Sequence, residues 1–296
     1  MTGNKKRNLY IIGAGLSIIC FCVCVYFMLN PAKANLVLNG GFDETSDFVK
    51  FTDVGQGDSA IIYSNGYSAV IDMGLPNFAP DIYEDLSKCS LKEIDVVLIS
   101  HLHSDHLGGL QKVAENYKIK NLIMPEILDS SIAAAKNART FITNNGGSAY
   151  NAVAGMNFEI GEFNITVLGF LDDKKNENNR SVFTVAEKDG AKFLFTGDAE
   201  TKAEQYILNQ KLNLDCDVLK VSHHGSNSST CREFLNATTP DYAVISVGED
   251  NMYNHPNSET LEALKSINAE IYRTDLCGDI TFDLSDGNIK INTEKQ

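Results

Sequence analysis

The sequence predicts an α/β protein built as a layered sandwich of two similar halves. Two runs of strand pairs, turning at Asn65-Gly66 and Asp189-Gly190, are each followed by alternating helix and strand. The run IDVVLIS at 94–100 is continuously apolar, as in a strand covered on both faces. Of the 296 residues 43% are hydrophobic, enough to fill the layers between such elements.

Taken in order, FVKFTDV (48–54), SAIIYS (59–64) and SAVIDM (68–73) read as strands, the last two joined at Asn65-Gly66. A helix over 78–88 leads to the strand at 94–100. A helix near 108–117, a strand at 119–124 and an Ala-rich helix over 130–144 follow. The middle, MNFEIGEFNITVLGF and SVFTVAEKDGAKFLFTGD, is β-rich. Alternation then resumes with a helix over 199–209, a strand at 217–222, a helix after Ser228, strand YAVISVG (242–248), a helix after Pro256 and a closing hairpin at Asp286-Gly287. No linker-like stretch interrupts 48–296, which is expected to be one domain.

Ahead of it, Leu9–Leu29 is uncharged and follows Lys5-Lys6-Arg7. As a helix the run is about 31 Å long, close to the thickness of a bilayer's hydrocarbon core. Residues 1–34 are therefore expected to be a transmembrane anchor, or a signal peptide cut after Ala32-Lys33-Ala34, with 35–47 as linker. Either way the basic group stays inside and the domain lies outside the cytoplasm, anchored in the cell membrane or secreted. Cys20, Cys22 and Cys24 fall in this run, and Cys89, Cys216, Cys231 and Cys277 match no paired metal-ligand spacing.

The formal net charge of −14 rules out general attraction to phosphate backbones, so any nucleic-acid chemistry needs local positive charge, such as a metal. All six histidines fall in three short segments: His101, His103 and His106 in SHLHSDHLGG, His223 and His224 in VSHHGS, and His255 in YNHP. H-x-H-x-D-H directly follows the buried strand, where open α/β folds place ligands. His101 and His103 can grip one cation, Asp105 and His106 a second, and imidazole with carboxylate suits zinc or a similar metal. The bland alternative is an incidental surface cluster with Asp105 capping a helix. Chance occurrence of the pattern is on the order of one in ten thousand. Asp198 (FLFTGD) and His223-His224 (DVLKVS) also end strand-like runs.

FTDVGQGDSAII, VIDMG, ISHLHSDHLGGL, FLFTGDAE, LKVSHHGSNSS, YAVISVG and YNHP together resemble the metallo-β-lactamase superfamily. Within it the chain is similar to the hydrolase domain of ComEC-type DNA-uptake proteins and their free-standing relatives, over about residues 48–290. The resemblance implies a four-layer αββα sandwich with two divalent metal ions. It implies His101 and His103 on the first ion, Asp105, His106 and His223 on the second, Asp198 bridging, and Asp72 orienting the His loop from behind. One departure stands out: residues 107–222 lack the further His most members have. NNRSVF takes its place, so Asn179 or Ser181 approaches the first metal or water does, making manganese as suitable as zinc.

Such a site suits an exported phosphodiesterase or nuclease using a metal-bound hydroxide, possible substrates including extracellular DNA. His224 and His255 are spare imidazoles for binding phosphate or protonating the leaving oxygen. Asp58 is either a substrate-binding group or a turn former. Alternatives are hydrolysis of another ester or amide (a choline-phosphate ester, a lactone) and a non-catalytic DNA-binding surface protein. No protein partner is evident in the sequence.

Overall fold

The computed structural model describes residues 46–128 and 133–295. The expected anchor or leader, 1–34, and nearly all of the linker lie outside them. Among the described residues no helix is long and apolar enough to cross a membrane.

The strands form two sheets. One contains β1 (Asp47–Phe51), β2 (Ala60–Ser64), β3 (Tyr67–Ile71), β4 (Glu93–Leu98), β5 (Lys118–Met124), β6 (Ser148–Asn151), β14 (Ile280–Asp283) and β15 (Lys290–Thr293), in the order β15-β14-β1-β2-β3-β4-β5-β6. The other contains β7 (Asn157–Ile160), β8 (Phe163–Gly169), β9 (Phe183–Lys188), β10 (Ala191–Phe195), β11 (Val218–Lys220), β12 (Tyr242–Ile245) and β13 (Glu270–Arg273), in the order β13-β12-β11-β10-β9-β8-β7. Each sheet is antiparallel where the sequence has hairpins and parallel where helices intervene. Asn65 and Gly66, like Asp189 and Gly190, all have positive φ, the tight-turn geometry those dipeptides favour.

Aromatic and branched side chains of the facing strands, among them Phe51, Ile165, Phe193, Phe195 and Phe282, fill the space between the sheets. The outer faces are covered by helices. α1 (Ala79–Lys88), α3 (Leu110–Asn116) and α4 (Ala133–Asn144) pack on the first sheet, and α5 (Thr201–Asn209), α6 (Arg232–Thr238) and α7 (Ser258–Ser266) on the second. α1 buries Ala79, Ile82 and Leu86, a helical spacing that gives it one apolar face. Two single turns, α2 (Ser104–Leu107) and α8 (Thr274–Cys277), complete the αββα order.

Expected strands at 217–222 and 242–248 shorten to Val218–Lys220 and Tyr242–Ile245, and the larger differences are one strand end and two further strands. β1 stops at Phe51, and 52–59 forms a loop closed by the Thr52 N–H on the Ser59 carbonyl. β6 (SAYN) and β13 (EIYR) were not expected. Each is a short parallel strand at a sheet edge, with no apolar run to mark it. The parallel strands β3, β4, β10, β11 and β12 all deliver their C-terminal ends to one rim, and every expected ligand lies there.

Candidate metal centre

Asp72, just past β3, has a left-handed backbone (φ 61°), and its carboxylate accepts the Ser100 N–H and hydroxyl, both at 2.7 Å. The same carboxylate lies 2.8 Å from His106 Nδ1, which leaves Nε2 to face the rim. The single turn α2 carries Asp105 and His106. Gly57 lets the preceding loop lie against it, since a Cβ there would sit 2.5 Å from the Asp105 carbonyl oxygen.

Asp198 follows β10 and Gly197, and its N–H donates to Ser181 Oγ at 3.0 Å. Its two oxygens face different imidazoles. Oδ1 is 3.2 Å from His106 Nε2 and 3.5 Å from His224 Nε2, whereas Oδ2 is 3.8 Å from His101 Nε2 and 3.9 Å from His223 Nε2. His101 Nε2 and His103 Nδ1 are 3.0 Å apart. Asp105, His106, Asp198 and His224 each bring one ligand atom to within 4.8 Å of the others. Of these atoms, His106 Nε2, Asp198 Oδ1 and His224 Nε2 are buried with no hydrogen-bond partner. Lone pairs left unmatched in a buried cluster cost stability unless something positive binds them, so this donor set fits a divalent cation.

Five residues lie elsewhere than the sequence suggested: His223, His224, Asp58, Asn179 and Ser181. His224, rather than His223, closes the four-residue cluster. Both have left-handed backbones (φ 52° and 50°), a pair of strained residues that splays the two rings by 65°. His224 is buried, and its Nδ1 lies 2.8 Å from the Ser246 carbonyl oxygen, an acceptor, so Nε2 is the ring nitrogen left to face the cluster. His223 sits toward the opening, with Nδ1 3.2 Å from Ser228 Oγ. Asp58 offers no surface to a substrate: it is buried, 2.7 Å from the Lys220 ammonium and 3.4 Å from His224 Nδ1, and braces the ligands from behind. Asn179 is buried on Asp173, and Ser181 is spent on the Asp198 backbone. Asn178, which the sequence reading passed over, lines the opening instead, its Nδ2 3.4 Å from His223 Nε2. A single 3-10 turn over 178–180 decides which Asn turns in, and spacing in the sequence does not show that.

The electrostatics follow from this crowding. Burial opposes charge on His106, but Asp198, Asp72 and Asp58 outweigh it and hold the imidazole well above its ordinary value. His224 is raised in the same way, burial being overcome by Asp198, Asp105 and Asp58. Burial also opposes charge on Asp198, yet His106 and His224 keep it well below the usual carboxylate range. Asp58 is pulled down to about 2, Lys220 chief among the groups that overcome its burial. His101, with burial and His106 both against its charge, is held well below. His255 drops to about 4 through burial and the neighbouring His223 and His224, so it is neutral at pH 7.

Beside the cluster opens a cavity of about 320 Å³ lined by Gln56, His103, Asp105, Asn178, His223 and His255, among others. His103, His223 and His255 are therefore the imidazoles a substrate meets first.

A family model described as the metallo-beta-lactamase superfamily matches residues 52–249. The chain belongs to that superfamily. Within it, the chain is 28% identical over 253 residues to ComE operon protein 3 of Bacillus subtilis (strain 168), which covers 79% of this chain and 32% of that protein. It is 31% identical over 257 residues to Competence protein ComA of Neisseria gonorrhoeae, covering 83% and 34%. The shared part is the ComEC-type hydrolase domain, so this superfamily member spans about a third of the length of those relatives. Among solved structures it is similar to the metallo-beta-lactamase fold protein YhfI from Bacillus subtilis (TM-score 0.55, 12% identity, 80% of this chain and 99% of that one). CmlA, a diiron beta-hydroxylase from Streptomyces venezuelae, gives TM-score 0.55 at 16% identity over 79% of this chain and 53% of that one. These likenesses show the fold and leave the chemistry to the site.

Proposed function

We propose that this metallohydrolase is a phosphodiesterase, with nucleotide or DNA phosphodiesters as substrates, acting outside the cytoplasm. The observation that carries the reading is the buried Asp198 carboxylate, whose oxygens face two separate sets of imidazoles. When bound there, two divalent cations supply charge against the developing phosphoryl charge and lower the pKa of a water. The chain's own residues do the rest. Asp198 holds the two half-sites in register, Asp72 and the Ser246 carbonyl fix His106 and His224, and Asp58 with Lys220 keeps that arrangement rigid. His255, neutral at the mouth, serves as a hydrogen-bonding group for the phosphate or leaving oxygen rather than as a standing acid.

With Asn179 and Ser181 turned away, the first half-site is nitrogen-rich, which favours zinc over the manganese that an oxygen-rich site would suit. The outside location rests on Lys5-Lys6-Arg7 ahead of the uncharged run. Protease added to intact protoplasts should digest the domain, and full protection until lysis would place it inside.

The deciding experiment is hydrolysis of bis(4-nitrophenyl) phosphate, oligonucleotides, a lactone and a β-lactam by the full chain loaded with zinc or manganese. Phosphodiesters should be cleaved, and Asp198→Ala should lose several orders of magnitude, because both half-sites lose their shared carboxylate. Turnover of the lactone or β-lactam alone would refute the reading while leaving the fold untouched.

A further inference from the structure

Among the described residues, no Lys or Arg lines the cavity beside the ligand cluster. Outside the ligand cluster, what it offers is amide, imidazole, phenol and the Ser104 hydroxyl. Three rings step outward from the cluster in near-parallel planes. His224 and His255 have centroids 6.5 Å apart at 28°, and His255 and Tyr253 are 5.8 Å apart at 26°. The last ring is open: Tyr253 is 59% exposed. Asn251 fixes the loop that carries it. Its Oδ1 accepts the Tyr253 and His255 N–H groups, and its Nδ2 donates to the Gly248 and His255 carbonyls. Two buried polar atoms on the lining residues, Asn178 Oδ1 and His255 Nδ1, have no partner. An exposed aromatic ring on a braced loop, at a cavity lined by amide and imidazole side chains, is a preformed surface for a flat polar ring.

We propose that Tyr253 is a stacking platform for a nucleobase. The favoured substrate is then a single-stranded or mononucleotide phosphodiester held through its base, with Asn178 and His255 hydrogen-bonding the nucleotide. This inference rests on the phosphodiesterase reading and adds the substrate class to it. A quaternary ammonium group, the other common partner of aromatic rings, is best held in a cage of several rings. Here one ring is open, and its one stacked neighbour, His255, is tilted by 26° to it, which suits a planar ligand. A duplex keeps its bases stacked on one another and would bind through its phosphates, for which the cavity has no Lys or Arg among the described residues.

The test uses the full chain and two readouts. The first is fluorescence of a trinucleotide carrying 2-aminopurine, which is quenched when that base stacks, whether or not the strand is cut. Quenching is expected with wild type and Tyr253→Phe and should vanish in Tyr253→Ala. The second compares thymidine 5′-(4-nitrophenyl) phosphate with methyl 4-nitrophenyl phosphate. Tyr253→Ala should raise KM about tenfold for the first substrate only, with kcat within about twofold, the size of effect expected from one base–aromatic stack. Tyr253→Phe should restore the wild-type KM. Equal quenching by Tyr253→Ala, equal KM changes for both substrates, or displacement of the trinucleotide by millimolar choline would each overturn the platform. Quenching without hydrolysis of any phosphodiester would instead refute the reading beneath it and leave the platform standing.

Discussion

A single carboxylate organises the centre, because Asp198 Oδ1 lies with His106 and His224 while Oδ2 looks toward His101 and His223. That division predicts unequal effects within the His pair. His224→Ala removes an atom from the closed cluster and should cost one metal ion per chain by elemental analysis. His223→Ala removes a ring at the opening and should leave that ion in place. Equal loss in both variants would contradict the assignment. The charge state gives a second prediction. His106 and His224 have raised values in the folded chain, so their protons stabilise the metal-free fold fully below about pH 6.5, the ordinary imidazole value. That contribution fades as pH rises through the raised values. A cation must displace those protons, so metal uptake at pH 7 should release protons and strengthen as pH rises. Calorimetric heats of metal binding should therefore differ between buffers of different ionisation enthalpy, and identical heats would show that no proton moves. Residue types and loop positions were legible in the sequence. Which of two adjacent residues turns inward was not, for either His223-His224 or Asn178-Asn179, because a left-handed pair or one 3-10 turn sets it.

At the scale of elements, the site is a set of strand ends brought to one rim, and the joints between strand and ligand matter as much as the ligands. Gly197 is such a joint. Its φ is +52°, and a Cβ there would lie 2.7 Å from Ser100 Oγ and 2.9 Å from Ser181 Oγ. Both hydroxyls are already engaged, Ser100 on Asp72 and Ser181 on the Asp198 N–H. Gly197→Ala should therefore lower stability by roughly 2–4 kcal/mol, read by urea unfolding, and weaken metal retention with it, although no ligand is changed. An unaltered unfolding midpoint would mean that the joint yields freely. Strands with continuous or alternating apolar runs could be read from the sequence, as could the two Asx-Gly hairpins, because burial and turn chemistry write themselves locally. β6 and β13 could not, since each is held by one neighbouring strand rather than by its own composition. The 52–59 loop is a similar case. FTDV reads as the continuation of β1, yet the chain turns away because Gly57 and Asp58 pack on the Asp105 backbone.

For the whole molecule, charge is the governing quantity. The formal net charge is −14, and no Lys or Arg among the described residues lines the cavity beside the cluster, so on the proposed reading an anionic substrate approaches against the protein's field and must be held by metals, hydrogen bonds and stacking. A nuclease that grips its substrate with basic side chains behaves otherwise. Each phosphate neutralised releases counterions, and six to ten such contacts cost on the order of a thousandfold or more in affinity between 50 and 200 mM salt. Here added salt screens repulsion as much as attraction. KM for a ten-residue oligothymidylate should change by less than about threefold over that range, and any trend at the low end should be toward tighter binding as salt is added. The measurement is initial rate against substrate at 50, 100 and 200 mM sodium chloride, with the metal concentration held constant. A rise in KM of tenfold or more would mean that a cationic surface outside this cavity carries the strand, and the acidic body would then be no guide to how substrate is held. A flat dependence would leave the half-sites around Asp198 as the source of positive charge, which a protein this acidic needs if it is to cut a phosphodiester.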